Sequence, residues 1–217
     1  MIQTNPSLPL YTFLILLFLN HAVSQSPPQN QELATLLNLK QQLGNLPFFK
    51  QWTPSNNSPC SWPGITCTAN SVTGLSLVDI NITQPIPPFV CDLKNLSVFN
   101  VSDNFIPGEF PTFLFNCSKL ETLDLSENFF VGKLPNDIDR FSSLRSFVIG
   151  GNNFSGEVPA SMGRLQELRQ LDLSSNLFTG SLPLEIGNLF NLERLRLDYN
   201  TQLKPSNLPS SYTQLKN

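Results

Sequence analysis

Three carboxylates, Asp79, Asp103 and Glu127, recur at a spacing of 24 residues. If each occupies the same place on successive parallel strands, neighbouring carboxyl groups stand about 4.8 Å apart. That is close to the roughly 5 Å of a retaining glycosidase pair, in which one carboxylate attacks and the other supplies and removes the proton. The same row could instead hold a Lys or Arg of a bound peptide. The glycosidase reading is disfavoured, because repeats generate columns of like residues and a flat sheet offers no pocket. Other chemistries lack their residues. The one histidine, His21, falls in an apolar leader, so Ser-His-Asp and Cys-His nucleophiles are excluded from the mature chain. No metal-ligand spacing, calcium loop, phosphate-cradling Gly loop or kinase signature is present, and no cofactor is expected. The formal charge of -3 leaves no basic excess to hold a nucleic acid.

The elements that position this row are repeats. The phrase LRQLDLSSNLFTGSLP, from Leu168 to Pro183, recurs along the chain. Its alternating part reads as a short strand. Its Asn marks a turn, and its Gly and apolar-Pro step form a bend that no helix tolerates. Asn104, Asn128, Asn152, Asn176 and Asn200 share one phase, and Gly108, Gly132, Gly156 and Gly180 another. Such strict register means a solenoid. Six strand cores are expected, at Leu75-Leu77, Phe99-Val101, Leu123-Leu125, Phe147-Ile149, Leu171-Leu173 and Leu195-Leu197. The first repeat departs from the pattern, with Ile80 in the Asn column. The five asparagines are expected to form an internal ladder, since a buried amide without partners would be costly. Phe130, Phe154 and Phe178 should stack one period apart.

On the exposed face of the strands, two further columns read Ser76, Asn100, Asp124, Val148, Asp172, Arg196 and Gly74, Val98, Thr122, Ser146, Gln170, Arg194. The face is expected to be acidic towards the N-terminal end and basic at the far end. Asp79, Asp103, Asp124, Glu127, Asp172, Arg194, Arg196 and Tyr199 are the candidate ligand contacts. Six strands span about 24 Å, room for about seven residues of an extended peptide.

Residues 1–24 read as a secretory signal, with an apolar run at 10–19 and small residues Ala22 and Ser24 before Gln25. Ten apolar residues are too few to span a membrane, which needs about 20. Six Asn-x-Ser/Thr sequons, at Asn56, Asn81, Asn95, Asn100, Asn116 and Asn153, agree with export. A glycan at Asn100 would obstruct the strand face. Residues 25–71 form a cap, with a helix over 31–43, Gly44 as its C-cap, and Cys60 and Cys67 paired around Trp62. Such a lid is needed because the first coil of a solenoid has no outer neighbour. Cys117 shares the column of Leu93, Phe141, Leu165 and Leu189, which expects a buried small hydrophobe. A Cys91–Cys117 bridge lies within reach between adjacent coils, but the two sit at different phases of the repeat. The pairing stays open, with the phase counting against it.

Leu36, Leu37, Lys40 and Trp52, the Cys60/Trp62/Gly64/Cys67 cluster and the repeats together resemble plant extracellular leucine-rich-repeat proteins. Segments 90–96 (VCDLKNL) and 114–128 (LFNCSKLETLDLSEN) are similar to early repeats of the HAESA-like receptor kinases. The resemblance implies a right-handed α/β solenoid with a helical, disulfide-linked cap. It also implies the ligand-recognition part of a receptor-like kinase or receptor-like protein, binding a peptide or protein and working with a co-receptor. On this reading repeats occupy 72–209, and 210–217 begin a truncated seventh, before a membrane span and a serine/threonine kinase that the chain does not include. The chain itself is then not an enzyme. It is secreted to the cell wall or apoplast, or sits at the cell surface if part of a full-length receptor. Arg194 and Arg196 resemble an Arg pair that peptide-binding relatives use on a ligand carboxylate. In those relatives the pair lies later in a longer array, so the role is not carried over. The alternative is a secreted polygalacturonase-inhibitor-like defence protein, which would close its array with a Cys-bearing C-terminal cap.

Overall fold

The computed structural model describes residues 28–54 and 58–204. The expected signal segment at 1–24, the sequon at Asn56 and the segment 210–217 lie outside the described residues.

The cap begins with helix α1 (Pro28–Gln42). Leu36, Leu39 and Leu43 recur at helical spacing and are buried. Gly44 ends the helix at φ 88°, and the Asn45 N–H reaches back to the Lys40 carbonyl at 3.0 Å, closing the last turn in a Schellman arrangement. Two 3-10 turns, Pro47–Gln51 and Pro59–Ser61, carry the chain to a hairpin of β1 (Ile65–Thr68) and β2 (Ser71–Ser76). Ala69 and Asn70 both take positive φ, the geometry that matches the twist of a two-residue hairpin. The Cys60–Cys67 disulfide ties the second 3-10 turn to β1. Trp52 and Trp62 stack at 5.3 Å, and the Trp52 indole N–H donates to the Pro63 carbonyl.

From β2 onward the chain winds as a solenoid with two parallel sheets. The first has the order β1-β2-β3-β5-β7-β9-β11, with β3 Val98–Asn100, β5 Thr122–Asp124, β7 Ser146–Val148, β9 Gln170–Asp172 and β11 Arg194–Arg196. Each residue pairs with the one 24 positions on, as Leu75 with Phe99 and Leu123 with Phe147. The second sheet runs β12-β10-β8-β6-β4, with β4 Pro107–Glu109, β6 Phe129–Lys133, β8 Asn153–Glu157, β10 Leu177–Ser181 and β12 Gln202–Lys204. Its register is 22 from β4 to β10, as Gly108 with Phe130, and 23 between β10 and β12, as Gly180 with Leu203. Five 3-10 turns complete the coils, at Pro88–Asp92, Thr112–Asn116, Ile138–Arg140, Ala160–Arg164 and Leu184–Asn188. Parallel strands joined by such crossovers wind right-handed. The antiparallel β1 covers the edge that β2 would otherwise present.

The interior is filled by periodic columns. Leu75, Phe99, Leu123, Phe147 and Leu171 are buried to within 1%. Of the three phenylalanines expected to stack, Phe130 and Phe154 do so, at 5.9 Å and 5° between planes. Among the described residues no ring pair joins Phe178, and Phe110 takes the other contact with Phe154.

Cys117 is not an isolated buried thiol. It is bonded to Cys91, with 4.8 Å between the Cα atoms. Phase counted along the sequence assumed that contacts between coils follow a register of 24. Cys91 lies in one 3-10 turn and Cys117 directly follows the next, so these turns meet with an offset of two residues.

Candidate functional site

The carboxylate row belongs to the turns that leave the first sheet, one residue before the Asn column. Asp79, Asp103, Glu127, Gly151, Ser175 and Tyr199 all have left-handed backbones, with φ between 49° and 66°. Non-Gly residues adopt this conformation at a penalty of about 1 kcal/mol or more, so the surroundings must impose it. They do so from both sides. Each turn is clamped to the next coil, the N–H of Asp79 donating to Ser102, that of Asp103 to Ser126 and that of Glu127 to Gly150. The following Asn is bonded inward. The Oδ1 of Asn152 accepts from the Phe130 N–H at 3.0 Å, and its Nδ2 faces the carbonyls of Leu125, Ile149 and Gly150. Asn128, Asn176 and Asn200 repeat the pattern. Asn104 serves the irregular first repeat, accepting from both Ile80 and Ile82.

The Gly at 151 has a specific reason. A Cβ there would stand 2.2 Å from Oε1 of Glu127, so the Glu127 carboxylate lies across the space a side chain would take. Asp79, Asp103 and Glu127 are exposed and line an open groove of about 360 Å³. Its other wall holds Phe105 and Phe129, whose rings are 5.7 Å apart and 44% and 54% exposed. Sequence reasoning missed these two rings. Their signal was phase: they directly follow the buried Asn column, so they face away from the core column at Ile106 and Phe130.

The remaining candidates are placed less uniformly. Asp124 is half-buried and accepts from the N–H and hydroxyl of Ser126. Asp172, expected as a ligand contact, is only 6% exposed. Its Oδ1 accepts from the Ser174 N–H and hydroxyl, and its Oδ2 lies 3.2 Å from Arg196. Asp198 approaches the same guanidinium at 3.5 Å. Asp172 foremost, and then Asp198, hold the Arg196 guanidinium above its ordinary pKa, so it stays a cation throughout the accessible range. The far end of the face is therefore internally paired at Arg196 rather than simply basic. Arg194 is exposed and Tyr199 is 78% exposed. Asn100 sits mid-sheet, its Oδ1 accepting from the Ser102 N–H. Glu32 also went unread: buried in the cap, it accepts from the Val72 N–H and the Ser71 hydroxyl and pins α1 to β2.

Among the described residues, no group of three or more His, Cys, Asp or Glu side chains is placed to hold a metal ion. No described helix is long and apolar enough to cross a membrane.

Comparison with known proteins agrees with this architecture. Residues 29–68 match the leucine rich repeat N-terminal domain, and residues 119–141 and 167–189 match the Leucine Rich Repeat model. Receptor-like protein 52 of Arabidopsis thaliana is 41% identical over 80 residues, which cover 35% of this chain and 10% of that protein. The ectodomain of the Arabidopsis receptor kinase HAESA, solved with an N-terminally extended IDA peptide hormone, superposes with a TM-score of 0.79 at 32% identity. That match covers 87% of this chain and 32% of HAESA's. The Arabidopsis BIR2 ectodomain superposes with a TM-score of 0.72 at 26% identity, covering 82% of this chain and 96% of the other. The matched part thus spans a small fraction of the receptors but nearly all of a short ectodomain. Cap, repeats and neighbours agree on a leucine-rich-repeat fold, similar to the extracellular parts of plant receptor-like proteins and receptor-like kinases.

Proposed function

We propose that this chain is an extracellular recognition module that takes an extended peptide or protein segment across its first sheet. The observation that carries the reading is the groove at the strand ends. Three exposed carboxylates, held by clamped left-handed turns, face two exposed rings across it. A Lys or Arg of the ligand meets the carboxylates, and a neighbouring apolar side chain lies on Phe105 and Phe129. Support comes from the likeness to HAESA, whose ectodomain was solved with a peptide hormone. The geometry suits binding rather than turnover, since the carboxylates are solvent-exposed. In a full-length receptor this segment would be followed by further repeats, a membrane span and a kinase, and a co-receptor would complete the complex.

Calorimetry with synthetic peptides, with and without a basic residue beside an aromatic one, tests the reading. Binding of the basic peptide should weaken at least tenfold in the Asp79→Asn/Asp103→Asn/Glu127→Gln variant and fall with added salt. Affinity unchanged by those three substitutions removes the groove from the site. Inhibition of a fungal polygalacturonase by the unmodified chain would favour the defence-protein reading instead.

A further inference from the structure

The second sheet carries exposed apolar side chains, of which the ligand reading uses only Phe129. Val131 is 43% exposed and Leu177 46%. Val131 and Phe129 lie two residues apart on β6, so they share its outer face. Phe129 and Val131 form one exposed apolar patch on β6, separated from Leu177 by the polar outer residues of β8. The register places a cover beside it. Asn153, the first residue of β8, pairs directly with Val131, and Leu177 pairs with Ser155. Asn153-Phe154-Ser155 is a sequon, and it lies beside the patch.

The sequons differ in what their amides do. Asn95 donates from Nδ2 to the Ser71 hydroxyl and accepts from Lys119, and Asn100 accepts from the Ser102 N–H. Asn81, Asn116 and Asn153 are exposed, and their side-chain amides show no hydrogen bond to another described residue; of the three only Asn153 stands on a strand beside an exposed apolar residue. Its neighbour Phe154 is fully buried, so the strand fixes the direction in which residue 153 leaves the sheet. A substituent on Nδ2 extends over the outer face, where the cross-strand neighbour is Val131.

We propose that Asn153 carries an N-linked glycan whose first sugar lies along this patch, covering Val131 and the adjoining edge of Phe129. The amide nitrogen displaces the pyrophosphate of a lipid-linked oligosaccharide at its anomeric carbon. A C–N bond forms, the C–O bond to the lipid pyrophosphate breaks, and the amide loses one proton to base. The sugar ring lays its C–H face on the valine and the ring edge and keeps its hydroxyls in water. The patch is thereby shielded from edge-on or face-on association. The sugar and a groove ligand share only Phe129, and the contact with Val131 does not rest on the ligand reading.

The test uses the chain secreted from plant cells. Mass spectrometry of peptides spanning residue 153 should find the site occupied. Binding of an apolar-surface dye should rise by about twofold or more in Ser155→Ala, which removes the sequon and keeps the Asn. Ser118→Ala, which removes the Asn116 sequon outside the patch, should leave dye binding unchanged. In a Val131→Thr background, Ser155→Ala should have a much smaller effect. Trimming the folded protein to a single N-acetylglucosamine should keep dye binding low, whereas removing that last sugar should raise it. An unmodified Asn153 in the secreted chain overturns the proposal. So does dye binding that is equal with and without the first sugar, or an effect of Ser155→Ala that is the same in both Val131 backgrounds.

Discussion

Replacing Asn152 by Ala tests the idea that the turns holding the carboxylate row are fastened from within. In the native chain the Asn152 Oδ1 takes the Phe130 N–H at 3.0 Å, and Nδ2 is within 3.2 Å of three carbonyls. The residue is 6% exposed, so water reaches none of these groups freely. Truncation orphans one donor and deprives the carbonyls of a shared one. At about 1–3 kcal/mol for each buried group left unsatisfied, with the carbonyls partly compensated by strand bonds, the loss comes to about 3 kcal/mol. For a domain of this size that lowers Tm by roughly 6–12 °C. Chemical denaturation measures the free energy, and amide exchange at Phe130 and Gly151 shows whether the loss is local. Glu167→Ala, at an exposed position away from the ladder, is the control and should stay within about 0.5 kcal/mol of the parent. If Asn152→Ala is as stable as Glu167→Ala, with unaltered exchange at Phe130, the ladder does not hold the turns and the account of the row fails.

Removing Cys91 and Cys117 together should destabilise more than removing Cys60 and Cys67. The enclosed loops give about 3.5 and 2.4 kcal/mol by chain entropy, and denaturation midpoints of the two double-Ala variants would show the order. Gly163→Ala puts a methyl 2.0 Å from the Glu185 carbonyl oxygen, so adjacent 3-10 turns must part. A loss of roughly 1–3 kcal/mol is expected, and a Tm equal to the parent's would contradict the packing. Gly151→Ala should displace the Glu127 carboxylate and weaken binding of a basic peptide, more than it lowers Tm. Arg196 keeps its charge, so wherever the Asp172 carboxylate is ionised the pairing contributes below the ordinary guanidinium pKa, and on the alkaline side it is lost only on rising through the higher folded value. Stability scans between pH 7 and 10 should therefore show no step that vanishes in Arg196→Leu.

The solenoid was legible because its signal is repetition: one phrase names the strand, the turn and the bend, and each coil confirms the last. The Asn column was readable for the same reason. What failed was whatever depends on the offset between coils. Cys91 and Cys117 looked out of phase because the sequence displays a single period of 24, while the second sheet pairs at 22 or 23 and this disulfide joins positions 26 apart. Asp172 was read as a ligand contact because its column faces out. Ser174 and Arg196 both close on it, and that is a matter of side-chain reach, invisible to phase. Phe105 and Phe129 were overlooked because phenylalanine in a repeat suggests core, and only the alternation of β6 turns Phe129 outward and Phe130 inward.

The ladder also has a direction. Every Asn finishes the turn of the coil before its own, as Asn128 does for Ile106 and Asn200 for Phe178. A chain emerging from the ribosome therefore always carries one unfinished coil, which closes when the Asn about 22 residues behind it appears. Synthesis at about 5–20 residues per second leaves on the order of a second or more for each coil. Loop closure and hairpin formation take microseconds. Assembly can thus proceed coil by coil in step with translation, starting from the cap. Nascent chains released just after Asn128, Asn152 or Asn176 should resist proteolysis up to the preceding turn, while chains released just before them should fray one coil further back.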